Sequence, residues 1–138
     1  MNSERALGTR TVFENDAAYV WAPFASRFPY ETHVIPKGHA PSFEGDPGAD
    51  SPEAAAALSA ALRALKARLG DFSFNMILHT RPYLEAGPYH WHWEISTRLA
   101  RVAGFERATD MYINAVPPET AAKELRAAFS KIVIAEEA

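Results

Sequence analysis

The chain has 138 residues, a length at which one domain buries a substantial core. Its hydrophobic fraction of 48% and charged fraction of 22% are those of an ordinary globular protein, and a net charge of −3 argues against nucleic acid, which needs a basic face. The lack of cysteine excludes disulfides and thiolate metal sites, and no apolar run approaches the ~20 residues of a membrane span.

The start, Met1 to Arg10, is polar and does not read as a leader, so a cytoplasmic location and no membrane partner are expected. Thr11–Glu14 and Ala17–Phe24 are β-prone runs separated by the turn pair Asn15-Asp16, which predicts a hairpin. A further strand is expected over Tyr30–Ile35, ended by Pro36. Gly38 to Asp50, rich in Gly, Pro and Asp, reads as a surface loop.

Ser51-Pro52-Glu53 marks a helix start: a capping hydroxyl, a proline at the first position and an acid facing the positive helix end. Leu58, Leu62, Leu65 and Leu69 then recur at helical spacing until Gly70. Phe72–Leu78 reads as a buried strand, Arg81–Pro88 as a loop, and Tyr89–Ile95 as a strand pairing back on the first. Met111–Val116 is expected to be another strand. Pro117-Pro118-Glu119 opens a closing helix with Ala122, Leu125 and Phe129 on one stripe. Together these elements predict a single α+β domain over residues 1–138, an antiparallel sheet packed with one long helix and a C-terminal helix.

The candidate chemistry lies in Tyr89-His90-Trp91-His92-Trp93-Glu94-Ile95. On a strand, His90, His92 and Glu94 would project from one face, and Trp91 and Trp93 from the other, where they can anchor the strand in the core. Imidazoles two residues apart on a strand have Cα atoms roughly 6–7 Å apart, near enough to share one metal ion. His79, at the end of the preceding strand, is placed to supply a third ligand. Neutral imidazoles suit zinc or iron, so His79, His90 and His92 predict one metal site. The same row admits a second reading, with His92 as a nucleophile attacking an α-phosphorus and His90 orienting it. Glu94 beside such a nucleophile would repel an incoming phosphate.

Several segments resemble, in order, the C-terminal half of galactose-1-phosphate uridylyltransferases, which belong to the histidine-triad superfamily. They are Val12-Phe13-Glu14-Asn15, the run from Ala22-Pro23-Phe24 to Tyr30-Glu31-Thr32, Ile35-Pro36-Lys37-Gly38-His39, Asn75-Met76-Ile77-Leu78-His79, the His90–His92 strand, Arg101-Val102-Ala103-Gly104-Phe105-Glu106 and Ile113-Asn114-Ala115-Val116-Pro117-Pro118-Glu119. The resemblance implies a histidine-triad-like fold. It also implies a family reaction that moves UMP between UDP-glucose and galactose 1-phosphate through a uridylylated histidine. That histidine lies in a His-Pro-His-x-Gln segment of the N-terminal half, and no such segment occurs in this sequence.

On this resemblance His79, His90 and His92 map onto structural metal ligands, with a fourth ligand, a glutamate, in the other half. Phe105 and Glu106 map onto a sugar-contacting stretch; Arg98 and Arg101, beside the strand end, are candidates to contact a substrate phosphate. His39 falls where histidine-triad proteins often carry a histidine. The implied ligands are a sugar phosphate or nucleotide sugar. The implied partners are the N-terminal half of a split transferase and a second copy of the chain in a homodimer. Two departures stand out. Thr97 precedes Arg98 where relatives have proline, and Ala108-Thr109-Asp110 replaces Gly-Thr-Gly, which places a negative charge where a phosphate would come. They leave room for two other readings: a stand-alone nucleotide hydrolase or transferase using His92, and a non-catalytic ligand-binding domain.

Overall fold

The computed structural model describes residues 8–84 and 87–136. Glu85 and Ala86 of the expected loop, and most of the polar start, lie outside the described residues. Five strands, β1 (Thr11–Glu14), β2 (Ala18–Trp21), β3 (Thr32–Pro36), β4 (Phe74–His79) and β5 (His92–Thr97), form one sheet in the order β1-β2-β3-β5-β4. Every neighbouring pair is antiparallel. Three helices accompany them: α1 (Pro52–Leu69), α2 (Gly104–Thr109) and α3 (Pro118–Glu136). The α+β class and the antiparallel sheet are as the sequence predicts.

Local chemistry accounts for the boundaries. The Asn15 side-chain oxygen accepts from the Ala17 and Ala18 amides at 3.1 and 2.9 Å, closing the β1–β2 hairpin with an Asx turn. At the start of α1 the Ser51 hydroxyl accepts from the Ala54 amide at 3.1 Å, satisfying one of the unpaired donors of the first turn. Ser51→Ala should therefore lower stability by about 1 kcal/mol, read as a lower urea midpoint with an unchanged slope. Helix α1 ends where the Gly70 amide bonds to the Lys66 carbonyl at 2.9 Å, with Gly70 at φ 73°, a conformation that favours glycine.

α1 and α3 pack on each other and on the β1–β2 side of the sheet. The leucine stripe expected for α1 is only partly the buried one. Leu65 is fully buried, but most of the inner surface is alanine: Ala57, Ala60, Ala61 and Ala64, with Ala121, Ala122 and Leu125 buried on α3. Leu58, Leu62 and Leu69 pack around that core half-buried. Small side chains thus fill the inner surfaces of both helices, and the leucines sit at the flanks.

Met111–Val116 is not a strand. Met111 and Ile113 are exposed, and Asn114 instead donates to the Ser26 and Phe28 carbonyls at 3.1 and 3.3 Å, pinning an irregular segment over the 23–30 loop. The apolar composition supports a strand only where the segment pairs with a sheet edge, and the edges β1 and β4 pair only with β2 and β5 among the described residues. Tyr30 turns the chain into β3 with φ 58°, a left-handed conformation that costs a non-glycine residue about 1 kcal/mol. Its hydroxyl donates to Glu124 at 2.5 Å and the Arg68 guanidinium lies 5.3 Å over its ring, so contacts from both long helices hold the turn.

Candidate metal centre and substrate cleft

Strand register creates the site. His92 stands opposite His79 across β5–β4, and Glu94 stands opposite His33 across β5–β3. Because side chains alternate, these four residues, with Glu31 and Ser96, share the sheet face opposite the long helices. Trp93, paired with Val34 and Leu78, points the other way. Trp91 is buried: its indole donates to Asp46 at 2.8 Å, and Phe43 packs edge-on against both tryptophans. The loop after β3 thus folds back to clamp the far side of the histidine strand, the anchoring role the tryptophans were expected to play.

The rings of His79 and His92 stack at 4.8 Å and 18°, and those of His33 and His92 at 5.3 Å and 25°. His90 behaves differently. Strand β5 begins at His92, so the alternation that aligns 92 with 94 does not extend to 90, and the His90 ring lies 5.0 Å from that of His39 instead. Of the three expected ligands, the structure stacks two ring on ring and leaves the third two residues before the strand.

Several ring nitrogens are nevertheless free of hydrogen bonds, although His79, His90 and His92 do not bring three ligand atoms within 4.8 Å of one another. His92 Nδ1 lies 3.1 Å from the His90 carbonyl, an arrangement that fixes the proton on Nδ1 and leaves the Nε2 lone pair outward. The Nε2 atoms of His79 and His90 are buried with no hydrogen-bond partner. His79 Nε2 comes within 3.2 Å of Glu94 Oε2, but without hydrogen-bond geometry. Buried polar atoms left unpaired are costly in a folded chain, and a metal ion would satisfy them. Burial holds the His92 imidazole below its ordinary range, reinforced by repulsion from His33 and His79 and opposed by the His90 carbonyl and Glu94, so the ring favours the neutral form that binds metals.

A second group was not foreseen as a unit. Ligand-capable atoms of Glu31, His33 and Glu94 lie within 4.8 Å of one another. Glu31 and Glu94 are buried. Glu31 Oε2 accepts from the Arg27 and Phe28 amides at 2.9 and 3.2 Å, and its Oε1 is 3.3 Å from His33 Nε2. Glu94 Oε1 receives Arg27 at 2.5 Å and the Ser96 hydroxyl at 2.9 Å. Burial pushes the Glu94 carboxyl up, yet Ser96, Arg27, His33 and His79 together hold it below the ordinary glutamate range. The signal for this group was the period-two placement of Glu31 and His33. Their meeting with Glu94 depends on the β3–β5 register, which a single sequence does not state.

The expected substrate residues sit at the other end of β5. Arg98 follows the strand, its amide bonded to the Ser73 carbonyl at 2.8 Å. Phe105 is half-exposed in the first turn of α2. Glu106 uses Oε2 to accept from the Ala103 amide at 3.0 Å, which caps α2 and leaves one carboxylate oxygen for a ligand. Asp110 ends α2 at φ 55°, taking the left-handed cap position that glycine usually fills.

A family model described as "Domain of unknown function (DUF4921)" matches residues 6–136. The chain is 36% identical over 109 residues to ADP-glucose phosphorylase of Arabidopsis thaliana, covering 76% of this chain and 31% of that protein. It is 31% identical over 128 residues to galactose-1-phosphate uridylyltransferase of Thermotoga maritima, covering 85% and 40%. The chain belongs to the galactose-1-phosphate uridylyltransferase-like family. A crystal structure of the Arabidopsis ADP-glucose phosphorylase with bound ADP-glucose superposes with a TM-score of 0.80 at 32% identity, covering 88% of this chain and 41% of that one. A zinc-bound histidine triad family protein from Mycobacterium smegmatis shares the fold, at a TM-score of 0.62 and 20% identity over 91% of this chain and 86% of that one. The chain thus spans from under a third to about two-fifths of the family relatives it matches.

Proposed function

We propose that this galactose-1-phosphate uridylyltransferase-like chain is the metal-holding, sugar-binding part of an enzyme that transfers a nucleoside monophosphate between sugar phosphates, UMP in the reading from sequence. The observation that carries it is a set of imidazole nitrogens, the Nε2 atoms of His79 and His90 buried without a hydrogen bond and that of His92 left free by the bond to the His90 carbonyl, on segments backed by tryptophans. His79, His90 and His92 would hold the ion, and all-nitrogen donors suit zinc or iron. Such an ion would fix the mutual placement of β4 and β5, a structural service. Arg98, Phe105 and Glu106 would meet a sugar phosphate or nucleotide sugar. This sequence contains no His-Pro-His-x-Gln segment, so the nucleophile is assigned to an N-terminal half of the kind the resemblance implies. Pairing as a homodimer and a cytoplasmic location belong to the same proposal.

Elemental analysis of the purified chain tests it. Near-stoichiometric zinc or iron is expected, falling to background in His90→Ala and His92→Ala, and chelation should lower the melting temperature of the native chain but not of the variants. Metal-free protein indifferent to chelators would remove the proposal.

A second reading rests on the freed Nε2 of His92, whose neutral ring could attack a phosphorus. It predicts a nucleotidyl adduct on His92 after acid-free quench with ADP-glucose, and an unmodified mass excludes it.

A further inference from the structure

Glu31, His33 and Glu94 are a set of donors that the proposed imidazole site does not use. Glu31 and His33 stand two residues apart where β3 begins, and Glu94 faces His33 across the β3–β5 register. Glu31 and Glu94 are 3% and 6% exposed, and the His33 side chain 16%, so the imidazole is the most open of the three. Each carboxylate has one oxygen committed. Glu31 Oε2 accepts from the Arg27 and Phe28 amides, and the hydrogen bonds from Arg27 and Ser96 both go to Glu94 Oε1. The other two oxygens approach one nitrogen: Glu31 Oε1 lies 3.3 Å and Glu94 Oε2 3.9 Å from His33 Nε2.

That spacing is close to a coordination shell. Around a divalent ion held at about 2.1 Å, adjacent donors stand about 3 Å apart and opposite ones about 4 Å. One ligand atom from each of the three residues already lies within 4.8 Å of the other two, so a small contraction closes them on an ion. Charge points the same way. Glu94 is matched by the Arg27 guanidinium, whereas Glu31 meets two backbone amides and an imidazole, and a buried carboxylate gains from a cation. A further observation comes from the other side of Glu94. His79 Nε2 is buried without a hydrogen bond, yet it lies 3.2 Å from Glu94 Oε2. A nitrogen and an oxygen at that separation, outside hydrogen-bond geometry, are placed as two ligands of a cation are, and not as donor and acceptor.

We infer that Glu31, His33 and Glu94 form a second cation site, beside the imidazole group and independent of it, taking a divalent ion of the manganese kind. Two carboxylate oxygens and one imidazole are a harder donor set than three imidazoles. They suit Mn²⁺, which completes its shell with water, where the all-nitrogen group suits zinc. The ion ties β3 to β5 and, through the Glu31 bonds to the Arg27 and Phe28 amides, to the 23–30 loop. None of the three residues is in the ligand set of the proposed function, so the two sites stand or fall separately.

Titration of MnCl₂ into the intact chain, dialysed free of metal and followed by the electron paramagnetic resonance of unbound Mn²⁺, tests this. Saturable uptake of about one Mn²⁺ per chain is expected, with an affinity that falls about tenfold or more in Glu31→Gln and in His33→Phe. Glutamine keeps an acceptor for the Arg27 and Phe28 amides, and phenylalanine keeps a ring against His92, so both variants should retain the native circular dichroism. Either variant that folds decides the outcome. No saturable uptake, or uptake equal in the native chain and the folded variants, would overturn the inference. So would Mn²⁺ binding lost in His90→Ala and kept in His33→Phe, because the ion would then sit on the imidazole group. Mn²⁺ binding that needs Glu31 and His33 in a chain that takes up no zinc keeps this site and removes the imidazole one. Zinc held through His90 and His92 in a chain that takes up no Mn²⁺ does the reverse.

Discussion

Arg27→Met is expected to cost about 2 kcal/mol of stability at neutral pH, less than the loss of a fully buried partner because Arg27 is itself half-exposed. The guanidinium pairs with the buried Glu94 carboxylate, and methionine keeps the stem while removing the charge. The effect has a pH signature. In the native chain the folded Glu94 carboxyl titrates below its unfolded value, so its contribution is fully present above about pH 4.3 and disappears as pH falls through the lower folded value. Without Arg27 one of the causes that hold the folded value down is gone, so that value moves up. The variant lacks this part of the stabilisation at neutral pH, and protonation of Glu94 in both proteins removes the difference on acidification. Urea unfolding of both proteins at pH 7 and pH 4 should show the gap between them shrinking at the lower pH. A gap that stays constant would mean Arg27 acts only through packing over Phe28 and Tyr112, whose ring centres lie 5.9 Å from it.

Leu125→Ala is expected to cost about 3 kcal/mol and to lower the melting temperature by roughly 10 °C. Leu125 is one of the few large side chains fully buried where α3 meets α1 and the sheet, and its neighbours there include Ala57, Ala61, Ala64 and Ala122. Alanines cannot move into the vacated space, so the cavity persists and the full penalty is felt. Calorimetric melting measures it directly. A loss below 1 kcal/mol would show that α3 closes the gap by shifting on α1.

Much of the fold was legible because its signals are local. Asn15-Asp16, Ser51-Pro52 and Gly70 each act on residues within four positions, and the structure places the hairpin and α1 where they point. Met111–Val116 misled because apolar composition carries no information about whether a sheet edge is within reach. The site was legible in part for a similar reason. His79 and His92 face each other because a long hairpin brings the ends of two recognisable strands together. His90 precedes the strand, and the point at which extended backbone starts is the least certain feature of any sequence pattern. Glu31, His33 and Arg27 reach Glu94 across 61 to 67 positions of chain, a meeting set by tertiary pairing. The short helix α2 was likewise not announced by the sequence.

The alanine seam between the long helices carries an evolutionary corollary. Where buried alanines are packed on all sides, any added methyl must displace its neighbours, so divergence along that stripe is confined to glycine, alanine and serine. The flanking leucines, at the rim of the contact, are free to become methionine or isoleucine. Descendants of this chain should therefore drift on the outside of α1 while its inner stripe stays almost frozen, with no selection on chemistry needed to keep it so.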